Sequence, residues 1–149
     1  MAVVLEFVEG YRWVVAAAIA NVVVVTWMAG TVGGARRKYS VPYPTMYADE
    51  KEHKHAQAFN CVQRAHQNTV EFSPAFLMCL LIGGLQYPLV AAALGAVYGL
   101  ARIQYFKGYS SGEANKRFSG GGFFFMPAYF GVVICATCFA LHLFFPDLL

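Results

Sequence analysis

Arg64, Asn68 and Glu71 stand at positions i, i+4 and i+7. On a helix that turns 100° per residue they project within a sector of about 60°. Arg102, Tyr105 and Tyr109 stand at i, i+3 and i+7 and share a face in the same way. Arg36 and Arg37 precede the first set, and Lys116 and Arg117 follow the second. Guanidinium, amide, phenol and a single carboxylate together suit a small polyanionic ligand that also carries an amino group. Arginines grip carboxylates through paired, charge-assisted hydrogen bonds. Glu71 would receive the ammonium, and the tyrosines would wall the pocket and donate hydrogen bonds. A purely structural Arg64–Glu71 pair is the competing explanation. It accounts for those two residues but not for a set spread over two helices and two loops.

The elements that must position these groups are apolar. The chain has 149 residues, of which 58% are hydrophobic and 13% charged, with a formal charge of +3. Soluble domains carry about 25% charged residues, so neither a water-soluble globule nor a disordered chain fits. Trp13 to Ala35 and Phe72 to Ala101 contain no Asp, Glu, Lys, Arg or His, and Phe118 to Pro146 contains only His142. The second run is broken by Gly83-Gly84 and Gln86-Tyr87-Pro88. A spanning helix needs about 20 apolar residues. These runs predict a single domain, a four-helix transmembrane bundle with spans at roughly 11–34, 60–84, 89–109 and 123–145. They lack the alternation of barrel strands. The first run is too long for a signal-peptide core, and an acidic segment precedes it, so it reads as a retained helix.

Basic residues set the orientation. The first connection holds Arg36, Arg37, Lys38, Lys51 and Lys54, and the third holds Lys107, Lys116 and Arg117. The second holds no charge. Both basic loops are therefore expected on the cytosolic side and both termini on the other. Pro42 and Pro44 predict an extended turn. The polar stretch from Met46 onward predicts a helix that stands out of the membrane and continues into the second span, with a kink at Pro74. Gly120-Gly121-Gly122 predicts a flexible joint. Ala91, Gly95 and Gly99 recur every fourth residue, a spacing that lets helix backbones approach closely in lipid. Cys61, Cys79, Cys135 and Cys138 read as small buried apolar residues. The histidines do not gather with Cys or carboxylate at ligand spacing, so no metal is expected. Basic charge is explained by topology, and no nucleic acid is expected.

The motifs themselves are specific. Phe59-Asn60-Cys61-Val62-Gln63-Arg64-Ala65-His66-Gln67-Asn68-Thr69-Val70-Glu71, followed by Pro74, resembles the helix-2 signature of the MAPEG family (membrane-associated proteins in eicosanoid and glutathione metabolism). Ala101-Arg102-Ile103-Gln104-Tyr105-Phe106-Lys107-Gly108-Tyr109 resembles its helix-3 signature. Gln63 to Asn68, and Gly108 to Glu113 followed by Lys116-Arg117, are similar to the type 3 microsomal glutathione S-transferase branch. Ala35 to Tyr39 and Val41-Pro42-Tyr43-Pro44 match the first cytosolic loop. The resemblance implies a homotrimer in the endoplasmic reticulum membrane, with glutathione bound between neighbouring subunits on the cytosolic side. It assigns Arg64, Asn68, Glu71, Tyr105 and Tyr109 to glutathione, Arg36 to its carboxylates and Arg37 to the polar end of the electrophile. Arg102 shares the face of Tyr105 and Tyr109 and joins the binding set. The thiol-activating arginine of the related cysteinyl-leukotriene synthases falls on Lys116 without a gap. Arg117 is one residue away and is taken as the activating residue, with Lys116 as its rival. Phe72 and His66 replace a tyrosine and a glutamine of those synthases.

The implied reaction needs no protein nucleophile. A free thiol has a pKa near 8.5, and a neighbouring guanidinium favours the thiolate. The thiolate would conjugate lipid epoxides, including leukotriene-type substrates, and other lipophilic electrophiles. It would also reduce lipid hydroperoxides, as a glutathione peroxidase does. The alternative is a non-catalytic helper of the same fold that binds and presents lipids. A small transporter would call for an ionisable group at a span's midpoint, and none is evident.

Overall fold

The computed structural model describes residues 8–146, all helix, turn and loop. Helix α1 is Tyr11–Tyr39, α2 is Ala56–Gly83, α3 is Pro88–Tyr109 and α4 is Phe125–Phe144. A 3-10 segment, Ala114–Phe124, joins α3 to α4. Three stretches are long and apolar enough to cross a membrane: Tyr11–Tyr39, Pro88–Tyr109 and Ala114–Phe144. Helix α2 has comparable length, but its polar stripe dilutes its hydrophobicity. Large apolar side chains such as Ile19, Leu100, Ile134 and Leu143 are more than half exposed, as befits surfaces that lipid covers.

Local chemistry fixes the ends. Gly10, at φ 87°, turns the chain into α1, and Ser40, at φ 55°, turns it out. The Ser40 and Val41 N–H groups cap the carbonyls of Arg36 and Arg37. Helix α1 thus runs five residues past the expected end at Gly34. Arg36, Arg37 and Lys38 are not loop residues but form its last turn. There their charge complements the carbonyl end of the helix dipole. Pro88 opens α3, where its fixed φ suits a first turn and its missing N–H leaves no bond unmade.

The expected helix from Met46 onward does not form. Residues 46–55 make turns, and α2 begins only at Ala56. Two side chains explain the difference. Asn60 clasps the Ala48 backbone, accepting from its N–H at 2.8 Å and donating to its carbonyl at 2.9 Å. Asp49 accepts from the Lys51 N–H at 2.8 Å. Such side-chain bonds compete with the helical ladder. Downstream, α2 continues through Pro74, and the hydroxyls of Thr69 and Ser73 bond back to the carbonyls of Ala65 and Thr69.

Two apolar clusters hold the bundle. One centres on Val14, Phe76, Leu80, Tyr98 and Val132 and reaches Phe125 beneath Arg102. The other joins α1, α2, α3 and the 41–55 loop through Met28, Phe59, Phe106 and Val41. Ala91, Gly95 and Gly99 do pack closely. A methyl group on Gly95 would lie 3.0 Å from the Ala17 Cβ, and one on Gly99 would lie 2.9 Å from the Asn21 Oδ1.

Candidate functional site

Helix α2 presents Arg64 and Glu71 on one face. Arg64 Nη1 lies 2.7 Å from Glu71 Oε1, and the two side chains are 40% and 44% exposed. The Tyr47 hydroxyl, from the 41–55 loop, reaches this stripe. It donates to Gln67 Oε1 and lies near the Arg64 guanidinium. Sequence reading missed Tyr47, and nothing in its local spacing marks it. The turns that Asn60 imposes bring it there.

One turn along from Arg64, Asn68 faces inward. Its Oδ1 accepts a 2.9 Å bond from Arg102 Nη1. Arg102 is fully buried, at 0% exposure. Its Nε donates to the Tyr98 hydroxyl at 3.1 Å, while Nη2 has no partner. Aromatic faces surround the guanidinium carbon: Phe125 at 3.7 Å, Phe72 at 4.8 Å and Tyr105 at 5.4 Å. No carboxylate pairs with it among the described residues. Helix α3 therefore holds a buried cation on amide, phenol and π-electron contacts. The π contacts stabilise a cation by about 0.5–2 kcal/mol each, and the Nη2 amino group is left without a partner.

The rest of the α3 face leads outward. Tyr105 and Tyr109 stack with centroids 5.8 Å apart. The Arg117 guanidinium lies at the outer end of this stack, 5.7 Å from the Tyr109 ring and 4.7 Å from Phe118. Lys116 points elsewhere. It is exposed and pairs with Glu113 at 2.6 Å. Two glycines hold this segment against α3. A methyl group on Gly108 would meet the Lys116 carbonyl at 2.1 Å, and one on Gly122 would meet the Arg117 carbonyl at 2.2 Å. Gly120 and Gly121 adopt positive φ values of 61° and 91°. The glycine joint is thus a shaped turn packed on the tyrosine helix.

Arg36 stands apart from these groups. It is buried, donates to the Thr45 carbonyl at 2.7 Å and to Gln63 Oε1 at 3.4 Å, and lies under the Tyr43 ring at 4.3 Å. It fastens the end of α1 to the loop. Arg37 is exposed beside it and lines a separate cavity of about 480 Å³ with Ser40 and Tyr43. The structure brings together Arg64, Asn68, Glu71, Arg102, Tyr105, Tyr109 and Arg117. Within one chain it does not bring Arg36, Arg37 or Lys116 to them. Among the described residues no three His, Cys, Asp or Glu side chains gather as metal ligands.

Comparison with known proteins gives a family and three relatives. The model of the MAPEG family matches residues 14–137. Microsomal glutathione S-transferase 2 of Bos taurus is 38% identical over 96 residues, 64% of this chain and 60% of the relative. The Homo sapiens and Mus musculus proteins of the same name are 40% and 35% identical over the same shares. The chain thus matches 60% of the length of each relative.

Proposed function

The chain belongs to the MAPEG family, and we propose that it is a membrane-bound glutathione transferase. The observation that carries this reading is the α2 stripe beside the buried Arg102. Arg64 and Glu71 offer a cation and an anion 2.7 Å apart on an exposed face. An amino-acid end group, with its own carboxylate and ammonium, can replace that internal pair charge for charge. Glutathione has such an end. Asn68 supplies a further hydrogen bond through its Nδ2, and Arg102, buried behind it, holds that amide by its Oδ1. Tyr105 and Tyr109 wall the pocket, and Arg36 serves a carboxylate where a neighbouring subunit completes the site.

Arg117 lies over Tyr109 and acts on the sulfur. Its guanidinium favours the thiolate, since each unit of pKa lowering contributes about 1.4 kcal/mol toward the anion. The thiolate attacks an epoxide carbon of a lipid substrate, including the leukotriene type. The C–S bond forms as a C–O bond breaks, and the alkoxide takes up a proton. With a lipid hydroperoxide, sulfur takes the terminal oxygen and the lipid leaves as an alcohol. A second glutathione then gives water and the disulfide. Arg37 faces the polar end of the electrophile.

The surrounding architecture follows from the same reading. Helix α2 crosses the membrane with the other three, the chain is one domain, and three copies form a homotrimer. The basic ends of α1 and α3 face the cytosol, and the endoplasmic reticulum is the host membrane. A parallel product assay tests the activity, with glutathione against an aryl halide, a lipid epoxide and a lipid hydroperoxide. Glutathione adducts from the first two and alcohol plus oxidised glutathione from the third are expected. Purified protein that binds fatty acids yet gives none of these products would instead be a lipid-presenting helper.

A further inference from the structure

The end of the molecule opposite the arginines is formed by the start of α1 and the α2–α3 connection. A cavity of about 560 Å³ lies there, bounded by Glu9, Arg12, Trp13, Tyr87 and Leu89. A groove of about 700 Å³ runs between α1 and α3. Trp13 and Leu89 wall both, so mouth and groove are continuous. The groove extends from Trp13 to Val24 on α1 and from Leu89 to Ile103 on α3. At 1.5 Å per residue that is roughly 17 and 21 Å. Half of a bilayer's hydrocarbon core is about 15 Å, so the groove has the reach of one leaflet's acyl chain.

The lining suits that occupant. Ala16, Ala20, Ala92 and Ala96 leave the space that larger side chains would fill. Asn21 is the one polar side chain in the groove, and its N–H groups bond to the carbonyls of Ala17 and Gly95 at 2.8 and 3.0 Å. Its donors are therefore spent inside the protein. The mouth differs in kind. Glu9 and Arg12 are exposed there, and neither has an ion-pair partner among the described residues. Opposite charges at one mouth match a headgroup that itself carries both signs. Trp13 is the amphipathic ring expected at headgroup depth.

We propose that this mouth and groove bind one zwitterionic phospholipid, in the leaflet away from the arginine and tyrosine cluster. Its phosphate sits at Arg12, its ammonium at Glu9, and one acyl chain lies between α1 and α3. The chain contains two tryptophans, so Trp27→Phe leaves Trp13 as the sole reporter. That variant is titrated in maltoside micelles with phosphatidylcholine whose acyl chains are brominated, since bromine quenches indole on contact. Quenching that saturates at low lipid-to-detergent ratio, and is reversed by unlabelled phosphatidylcholine, is expected. Adding Ala20→Phe and Ala96→Phe, both at exposed positions, should abolish the saturable part. Adding Arg12→Gln should raise the half-saturating lipid ratio about fivefold. Quenching that rises in simple proportion to lipid in every variant overturns the proposal. So does equal saturation by brominated diacylglycerol, which lacks the headgroup. An absence of quenching, with loss of oligomer mass in the phenylalanine variants, would instead give the groove to a second copy of the chain.

Discussion

Arg64 and Glu71 pair through water-accessible side chains, and exposed ion pairs stabilise a fold by only about 0–1 kcal/mol. Opening the pair for a ligand is therefore easy, whereas each ligand bond to a charged group is worth about 1.5–3 kcal/mol. Arg64→Ala should weaken glutathione binding roughly 30-fold by titration calorimetry, with little change in thermal stability. Unchanged affinity would remove Arg64 from the site. Arg117→Ala should lower kcat more than affinity, while Lys116→Ala, which loses only a contact to Glu113, should leave kcat close to that of the parent. The reverse outcome would give the sulfur to Lys116. Spacing alone made the Arg64, Asn68, Glu71 stripe and the Arg102, Tyr105, Tyr109 face legible. It did not reveal that Arg102 is fully buried, because its aromatic shell comes from Phe72 on α2 and Phe125 on α4. Nor could it show that Arg117 lies against Tyr109 while Lys116 pairs with Glu113, on a segment whose backbone two glycine contacts hold against α3.

At the scale of elements, the helix count and most helix ends follow from apolar runs and from Gly and Pro punctuation. The 41–55 loop does not. Its composition reads as helix, but Asn60 is 12 residues away from the Ala48 backbone that it clasps, beyond the reach of any local pattern. Asn60→Ala leaves that N–H and carbonyl without their partner, at about 1–3 kcal/mol for a buried polar group. The loop should open, and limited trypsin digestion at Lys51 and Lys54 should run several-fold faster than in the parent protein. Equal digestion rates would show that the loop is held some other way. The connection before α4 makes a sharper test. Gly122→Ala places a methyl group 2.2 Å from the Arg117 carbonyl, and backbone cannot yield as a flexible side chain does. The 3-10 segment must shift off α3, so both melting temperature and glutathione-dependent turnover should fall. A variant with parental turnover would disconnect this turn from the site.

The whole molecule poses a problem that a single chain does not solve. Helix α2 carries a charged stripe, and lipid would penalise each exposed charge by several kcal/mol. Yet Arg64 and Glu71 are two-fifths exposed on a chain whose other long helices are apolar enough to span a membrane. Water or another polar protein surface must cover them. The proposed closed ring of identical subunits would do this with one repeated contact, turning each α2 toward its neighbours and each stripe into a wet cleft between two chains. In that ring Arg36 and Arg37, which reach neither Tyr105 nor Tyr109 within one chain, would serve the stripe of the next. Light scattering of the detergent-solubilised protein should therefore give three times the 16.4 kDa chain mass after correction for bound detergent. Mixing provides the second half of the test. Arg37→Ala and Arg117→Ala chains, each poorly active alone, should regain a fraction of parental turnover when refolded together, because some clefts then draw both arginines from intact chains. A monomeric mass, or mixed chains no more active than the separate variants, would place the whole site within one subunit.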